Sequence, residues 1–232
     1  MKTKVLILDY SVNRAETAVI KSCLPKDVNI TSLFIDTEES FPIHLIGMDY
    51  THVIHSGSAL SINATAPFSE KAIKFIQDAK AKGVWQMGIC FGHQLICSAL
   101  VGKYAVRSSP NGFEVGWKDL TFKDKAITLL GVQETEKVWQ HHFDEVIDLP
   151  IGSELLATNK HSKVQAYINY EFHLLGTQFH PEFNKLSGNN YFLDDRKFIE
   201  KHHFDVDKMI QHEPSFDTGK VFFNFFLTQK VK

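Results

Sequence analysis

The stretch Gly88-Ile89-Cys90-Phe91-Gly92-His93-Gln94 constrains this chain more than any other. Ahead of it, Val84-Trp85-Gln86-Met87-Gly88-Ile89 reads as a short apolar strand; behind it, Gln94-Leu95-Ile96-Cys97-Ser98-Ala99-Leu100 reads as the start of a buried helix. Glycines two residues to either side of Cys90 give the Gly-x-Cys-x-Gly form of a nucleophile elbow, where the chain turns sharply and larger side chains would crowd an approaching substrate. A helix beginning just after the cysteine aims backbone N–H groups and a positive dipole end at the sulfur, so the expected state is a thiolate. The Phe91 N–H is expected to be free to bind an oxyanion.

A lone intracellular cysteine is more often a small packing residue. A second stretch, Gly176-Thr177-Gln178-Phe179-His180-Pro181-Glu182-Phe183, argues otherwise. Pro181 has a locked φ and keeps His180 out of the helical region, so the tripeptide is extended and the side chains of His180 and Glu182 project to one side. Glu182 can then hold one imidazole nitrogen while the other faces the sulfur, which is the logic of a catalytic triad. The chain order Cys90, His180, Glu182 is hard to meet by chance.

These residues resemble the class I glutamine amidotransferases, whose glutaminase domains carry a Gly-x-Cys-x-Gly-x-Gln elbow and a His-Pro-Glu strand end. The resemblance runs over nearly the whole chain. It looks nearest to the glutaminase domains of GMP synthases and their stand-alone relatives, through Val138-Trp139-Gln140-His141-His142-Phe143-Asp144 followed by Leu149-Pro150. It implies a flavodoxin-like α/β fold and a glutaminase mechanism with no metal or organic cofactor. The turn Ser56-Gly57-Ser58-Ala59 matches the family's Ser-Gly-Gly-Pro loop, with Ser58 in place of the second glycine, whose N–H would be the other oxyanion donor. If that peptide needs a positive φ, Ser58 meets a steric cost, and the oxyanion hole forms only when substrate or a partner arrives. By the same resemblance, Gly57 and Gln94 line the substrate pocket. His141, His142 and Phe143 match a Ser-His-Gly-Asp run that holds the substrate's α-amino and α-carboxylate ends; the bulk of Phe143 would narrow the pocket or rotate the backbone.

Strand and helix alternate along the first half, which indicates a doubly wound sheet. A first strand at 5–8 precedes a helix at 14–24, with Asn13 as its N-cap and Pro25 closing it. Strands follow at 28–35 and 51–55, where His55 is expected to make an ordinary strand-end hydrogen bond, and then a helix at 69–82 stopped by Gly83. Beyond Gly102 the pattern reads as strands at 104–107, 116–122, 126–130, 155–158, 164–169 and 174–179. Glu114 and Trp117 are assigned structural roles. Residues 184–219, rich in Asn, Asp, Lys and His, read as an insertion. The bland reading, a solvated helical excursion, stands ahead of a lid or docking surface beside the site. A phenylalanine-dense helix at 219–227 closes the chain.

A length of 232 residues suits one α/β domain, so residues 1–232 are read as a single domain. The formal net charge of −2 points to neither nucleic acid nor an acidic membrane as partner. Three cysteines without framework spacing fit free thiols in a reducing compartment, with Cys23 and Cys97 as packing residues. No apolar run reaches the ~18–20 residues of a membrane span, and a soluble cytoplasmic protein is expected. The adjacent pair His141-His142 lacks a cysteine or carboxylate at zinc spacing, so no metal is expected there. Three functions fit: a glutaminase that supplies ammonia to a separate synthetase, a stand-alone hydrolase of γ-glutamyl amides or peptides, and a non-catalytic regulatory subunit that kept the fold. The complete Cys90, His180 and Glu182 set speaks against the last.

Overall fold

The structure, a computed structural model, describes residues 2–36, 50–64 and 69–230. Its elements in chain order are β1 (Lys4–Asp9), α1 (Glu16–Cys23), β2 (Asn29–Phe34), β3 (His52–His55), α2 (Ser69–Ala81), β4 (Trp85–Ile89), α3 (Phe91–Leu100), β5 (Val106–Ser108), β6 (Glu114–Phe122), α4 (Asp124–Leu130) and β7 (Thr135–His142). The remainder are β8 (Asp144–Val146), β9 (Glu154–Thr158), β10 (Ala166–Asn169), β11 (Leu174–Thr177), α5 (Lys185–Asp194), α6 (Arg196–Lys201), α7 (Val206–Met209) and α8 (Thr218–Thr228).

Nine strands form one sheet in the order β2-β1-β3-β4-β11-β10-β9-β6-β7. The first five run parallel, and the remaining four extend the sheet with antiparallel pairing. Alternation along the central strands separates two cores. Leu6 and Leu8 face Phe75 and Ile76 of α2 and Leu95 and Ile96 of α3. Val5 and Ile7 belong to the other face, with Ile20 of α1, Ala126 of α4 and Phe222, Phe223 and Phe226 of α8. The expected flavodoxin-like α/β architecture, helices on both faces of a large sheet, is what forms.

Three local expectations need correcting. Helix α1 starts at Glu16 rather than residue 14. Asn13 Oδ1 takes the Ala15 N–H at 3.2 Å in a local turn, and Arg14 sits at φ 61, so the helix is not side-chain capped. The predicted strand at 126–130 is helix α4: Gly131 at φ 67 closes it with a left-handed C-cap, a stop signal that outweighs the apolar run. The predicted strand at 104–107 begins instead as a short 3-10 turn, Lys103–Ala105, and becomes extended only at Val106.

The insertion is no solvated excursion. Phe192 of α5, Ile199 of α6, and Val206 and Met209 of α7 are buried in a third core against Phe113, Val115, Trp117, Trp139 and Phe183. Close approach is possible because residue 188 is glycine: a Cβ there would lie 2.6 Å from Trp139 Cδ1. Trp139 Nε1 donates to the Gly188 carbonyl at 3.2 Å, and Trp117 Nε1 to Asn189 Oδ1 at 2.8 Å. The structural role expected of Trp117 is met.

Candidate active site

In an open α/β sheet, ligands bind beyond the carboxyl ends of the strands where the winding order reverses. Here β1 passes first to β2 on one side and then to β3 on the other. The chain leaves β1 at Tyr10-Ser11, β3 at Ser56, β4 at Cys90 and β11 at Gln178, all at this one edge. Strands β4 and β11 are in register, with Gly88 opposite Gly176 and Ile89 opposite Thr177. Cys90 N–H donates to the Thr177 carbonyl at 2.8 Å, so the cysteine and the segment carrying His180 emerge side by side.

The elbow forms for the steric reason its glycines imply. Cys90 takes φ 48, ψ −104, a region that costs a non-glycine residue of order 1–3 kcal/mol. Gly92 N–H donates to the Ser56 carbonyl at 3.1 Å, and a Cβ on Gly92 would stand 2.1 Å from the His55 carbonyl oxygen. His55 is spent on structure: its nitrogens face Tyr10 Oη at 2.9 Å and Gln86 Oε1 at 3.1 Å.

His180 Nδ1 donates to Glu182 Oε1 at 2.6 Å, as the extended His-Pro-Glu geometry requires. This leaves Nε2 as the basic nitrogen. The ring meets Trp139 edge-on at 4.9 Å, and its backbone N–H donates to the Trp139 carbonyl at 3.1 Å. Burial lowers the His180 pKa to about 4 and raises that of Glu182 to about 7. His180 is therefore a neutral base at pH 7.

The thiolate expectation fails. Burial first, and the charges of Glu16 and Glu182 next, push the Cys90 thiol well above its usual range, while the Phe91 N–H pulls the other way. One helix terminus cannot offset desolvation plus two carboxylates. Burial and the neighbouring charges therefore favour the thiol over the thiolate. Cys23 and Cys97 are also free thiols, each pushed up to about 12 by burial.

Cys90, Ser58, Gln94, His141, His142 and Phe143 all line a cavity of about 490 Å³. His180 opens onto an adjoining cavity that shares Ser58, Ala59, His141 and Tyr191 with the first. Ser58 is not among the positive-φ residues, so the anticipated steric cost does not arise in this conformation. Its Oγ donates to the Tyr10 carbonyl at 2.8 Å and accepts the Leu60 N–H at 3.1 Å, holding the turn. Gln94 Nε2 donates to the Asp144 carbonyl at 3.0 Å and to Gln178 Oε1 at 3.2 Å. Gln178 Nε2 in turn lies 3.7 Å from Cys90 Sγ.

Gly57 lies on the wall of neither cavity. It backs the base instead: a Cβ there would fall 2.5 Å from His180 Cε1. Gly57→Ala is expected to keep the fold and lose about 100-fold in activity, the scale of a 1 Å displacement of a reacting group. Steady-state rates beside a thermal melt check this, and unchanged activity would show that the ring is not held against this backbone.

His141 and His142 diverge, as adjacent residues on a strand must. His141 Nε2 faces Asp195 Oδ2 at 2.9 Å, and its carbonyl lies 4.0 Å from Cys90 Sγ. His142 turns to Glu114, its cross-strand partner. The fold thus supplies a carboxylate and a third imidazole that sequence spacing did not reveal, for Glu114, His142 and His161 have polar atoms within 4.8 Å of one another. Hydrogen bonding accounts for this cluster. Glu114 Oε2 accepts from Gln165 Nε2 at 2.9 Å and lies 3.0 Å from His142 Nε2, its Oε1 accepts from Asn159, and His142 Nδ1 lies 2.9 Å from the Asp144 carbonyl. Glu114 therefore braces the pocket floor.

Phe143 does not close the pocket. It stacks on Phe113 at 4.3 Å between centroids, with the planes 6° apart, and forms wall together with Phe198. Tyr191, Asp195 and Phe198 come from the insertion. These and Gln178 are not legible as site residues in the sequence. Nor is Glu16, a buried carboxylate whose Oε1 is 4.0 Å from His180 Nδ1. The available signal for Glu16 was its place one loop beyond the carboxyl end of β1.

A cysteine at a strand–helix elbow, beside a histidine–carboxylate pair from the next parallel strand, defines an α/β protein equipped for cysteine-dependent amide chemistry. The profile of the family described as glutamine amidotransferase class-I matches residues 9–199. The chain belongs to that family. It is 29% identical over 157 residues to the glutamine-hydrolyzing GMP synthase subunit of Sulfurisphaera tokodaii, across 68% of this chain and 79% of that protein. With the corresponding subunit of Sulfolobus acidocaldarius it shares 38% identity over 103 residues, 44% of this chain and 53% of that one. The match thus spans just over half of the latter's length. Among solved structures, a glutamine amidotransferase from Thermotoga maritima superposes with a TM-score of 0.79 at 17% identity, over 98% of this chain and 97% of the other. Among the described residues, no helix is long and apolar enough to cross a membrane.

Proposed function

We propose that the protein hydrolyses the side-chain amide of glutamine, with Cys90 as nucleophile, His180 as base and Glu182 as its orienting partner. The observation that carries this reading is the 2.6 Å contact between His180 Nδ1 and Glu182, beside a thiol held in a strained elbow. As Cys90 Sγ attacks the carboxamide carbon, its proton passes to His180 Nε2. A neutral thiol and a neutral imidazole make proton loss and attack one event, with no standing thiolate. N–H groups at Phe91 and Ser58 receive the oxyanion. Collapse returns the proton to the departing nitrogen, releasing ammonia and leaving a γ-glutamyl thioester. Water, deprotonated by the same histidine, then frees glutamate.

Gln94, Gln178 and the His141–Asp195 pair line or brace the space for the amino-acid end of the substrate. No cofactor enters these steps. The chain acts as one glutaminase domain, and the likeness to proteins named as glutamine-hydrolyzing subunits of GMP synthase supports delivery of the ammonia to a separate synthetase. The second reading, a hydrolase of γ-glutamyl amides or peptides, is favoured by the size of the cavity, about 490 Å³, and by the aromatic wall of Phe143 and Phe198. Such a space accommodates a ligand larger than one glutamine.

A panel of glutamine, γ-glutamyl anilides and γ-glutamyl dipeptides separates the two. Glutamine is expected to give the highest kcat/KM. A γ-glutamyl peptide turning over roughly tenfold or more faster than glutamine would transfer the assignment to the stand-alone hydrolase.

A further inference from the structure

We propose that Glu16 is a positioning residue of the triad, which steadies Glu182 through a carboxyl–carboxylate hydrogen bond and so fixes the orientation of His180. The proposal rests on the reading of Cys90, His180 and Glu182 as a triad and adds a fourth group, from α1, that no motif in the chain announces.

The geometry is that of a second carboxyl closing over the pair. Glu16, His180 and Glu182 are all buried and have polar atoms within 4.8 Å of one another. Glu16 Oε1 is 4.0 Å from His180 Nδ1, which already donates to Glu182 Oε1 at 2.6 Å. The Glu16 and Glu182 carboxyl groups therefore lie side by side at the Nδ1 edge of the imidazole. Each also has a second oxygen, Oε2, that is buried with no hydrogen-bond partner. Carboxylates are acceptors only, so the two can satisfy one another only if a proton lies between them. Two full charges here would also oppose ionisation of the nearby thiol, since both carboxylates push Cys90 upward.

The surroundings place that proton on Glu16. Burial, then the charge of Glu182, raises the Glu16 pKa, with Asp9 adding in the same sense and His180 opposing. Asp9, at the end of β1, accepts from the Ser11 and Thr17 N–H groups and from both hydroxyls, so both its oxygens are held by local donors. Tyr191 on α5 and Cys23 on α1 are further titratable neighbours, and burial pushes each up to about 12. Glu182, with its pKa of about 7, is then the first of the pair to ionise, which leaves one shared proton beside a neutral imidazole and a thiol. In alkali Glu16 ionises, and the second charge opposes formation of the thiolate.

The test compares Glu16→Gln, which keeps a neutral donor of the same length, with Glu16→Leu, which removes it. The readout is the pH dependence of Cys90 alkylation by iodoacetamide, followed on the Cys90 peptide by mass spectrometry. This needs no assumption about the substrate. Thermal melts establish that each variant is folded, and His180→Ala serves as reference. Glu16→Leu is expected to slow neutral-pH alkylation by about 10- to 100-fold, the scale of losing a group that orients another. Glu16→Gln is expected to match wild type near neutrality and to titrate at lower pH on the alkaline side. Infrared spectra of the wild type should show a protonated carboxylic C=O band at pH 7 that Glu16→Gln lacks. If His180→Ala changes the profile while both Glu16 variants follow wild type, Glu16 has no such role and the triad stands. If His180→Ala itself leaves the profile unchanged, both readings fall.

Discussion

Cys90→Ala is expected to lower kcat for glutamate release from glutamine by about 10⁵- to 10⁶-fold, the loss seen when the nucleophile of a triad is removed. What survives would come from the remaining binding and oxyanion donors. The same position allows a sharper test. Cys90 sits at φ 48, ψ −104, where glycine is at ease and alanine is not. Cys90→Gly should be equally inactive, yet more stable than Cys90→Ala by about 1 kcal/mol. Assays of glutamate and ammonia beside urea unfolding of both variants give the answer. A Cys90→Ala protein with substantial glutaminase activity would remove Cys90 from the chemistry. Equal stabilities would remove the strain argument while leaving the chemistry intact.

Gly92→Ala is expected to be the most damaging glycine-to-alanine change among the described residues. In a helix this substitution ordinarily stabilises by about 0.5–1 kcal/mol. Here the added Cβ would stand 2.1 Å from the His55 carbonyl oxygen and 2.6 Å from its carbon. Both partners are backbone, in the first turn of α3 and the last residue of β3, so neither can rotate away. A loss of about 3–5 kcal/mol or failure to fold follows, read from the midpoint of urea denaturation or from soluble yield. A stabilised Gly92→Ala protein would mean that β3 and α3 separate readily enough to admit a methyl group.

Both effects trace to a motif that is legible in the sequence, and the contrast with what is not legible has a physical cause. The elbow and His-Pro-Glu can be read because their geometry is local: glycine spacing, a locked proline and extended backbone act within a few residues. Helix α4 reads as strand because a short apolar run carries no period of its own, and the Gly131 stop signal decides between the two. The insertion looks solvated because its helices are polar along most of their length. Their burial rests on Phe192, Ile199, Val206 and Met209, which gain a core only against Trp117 and Trp139 from distant strands.

The expected thiolate illustrates the same divide. A helix terminus is visible in sequence, whereas desolvation depends on what the rest of the chain stacks over the sulfur. Glu16 and Glu182 approach Cys90 from elements 74 and 92 residues away in sequence, and no spacing rule links them.

The sequence by itself determined the cysteine elbow, the histidine–carboxylate pair and the α/β alternation that carries them to one sheet edge, because each depends on short-range backbone restraints. Only the tertiary structure decided the protonation of the site, the presence of Glu16 beside the pair, the use of Gly57 to back the imidazole, and the pocket wall of Tyr191, Asp195 and Phe198. These depend on burial and on contacts between segments far apart in the chain, and long-range packing sets both.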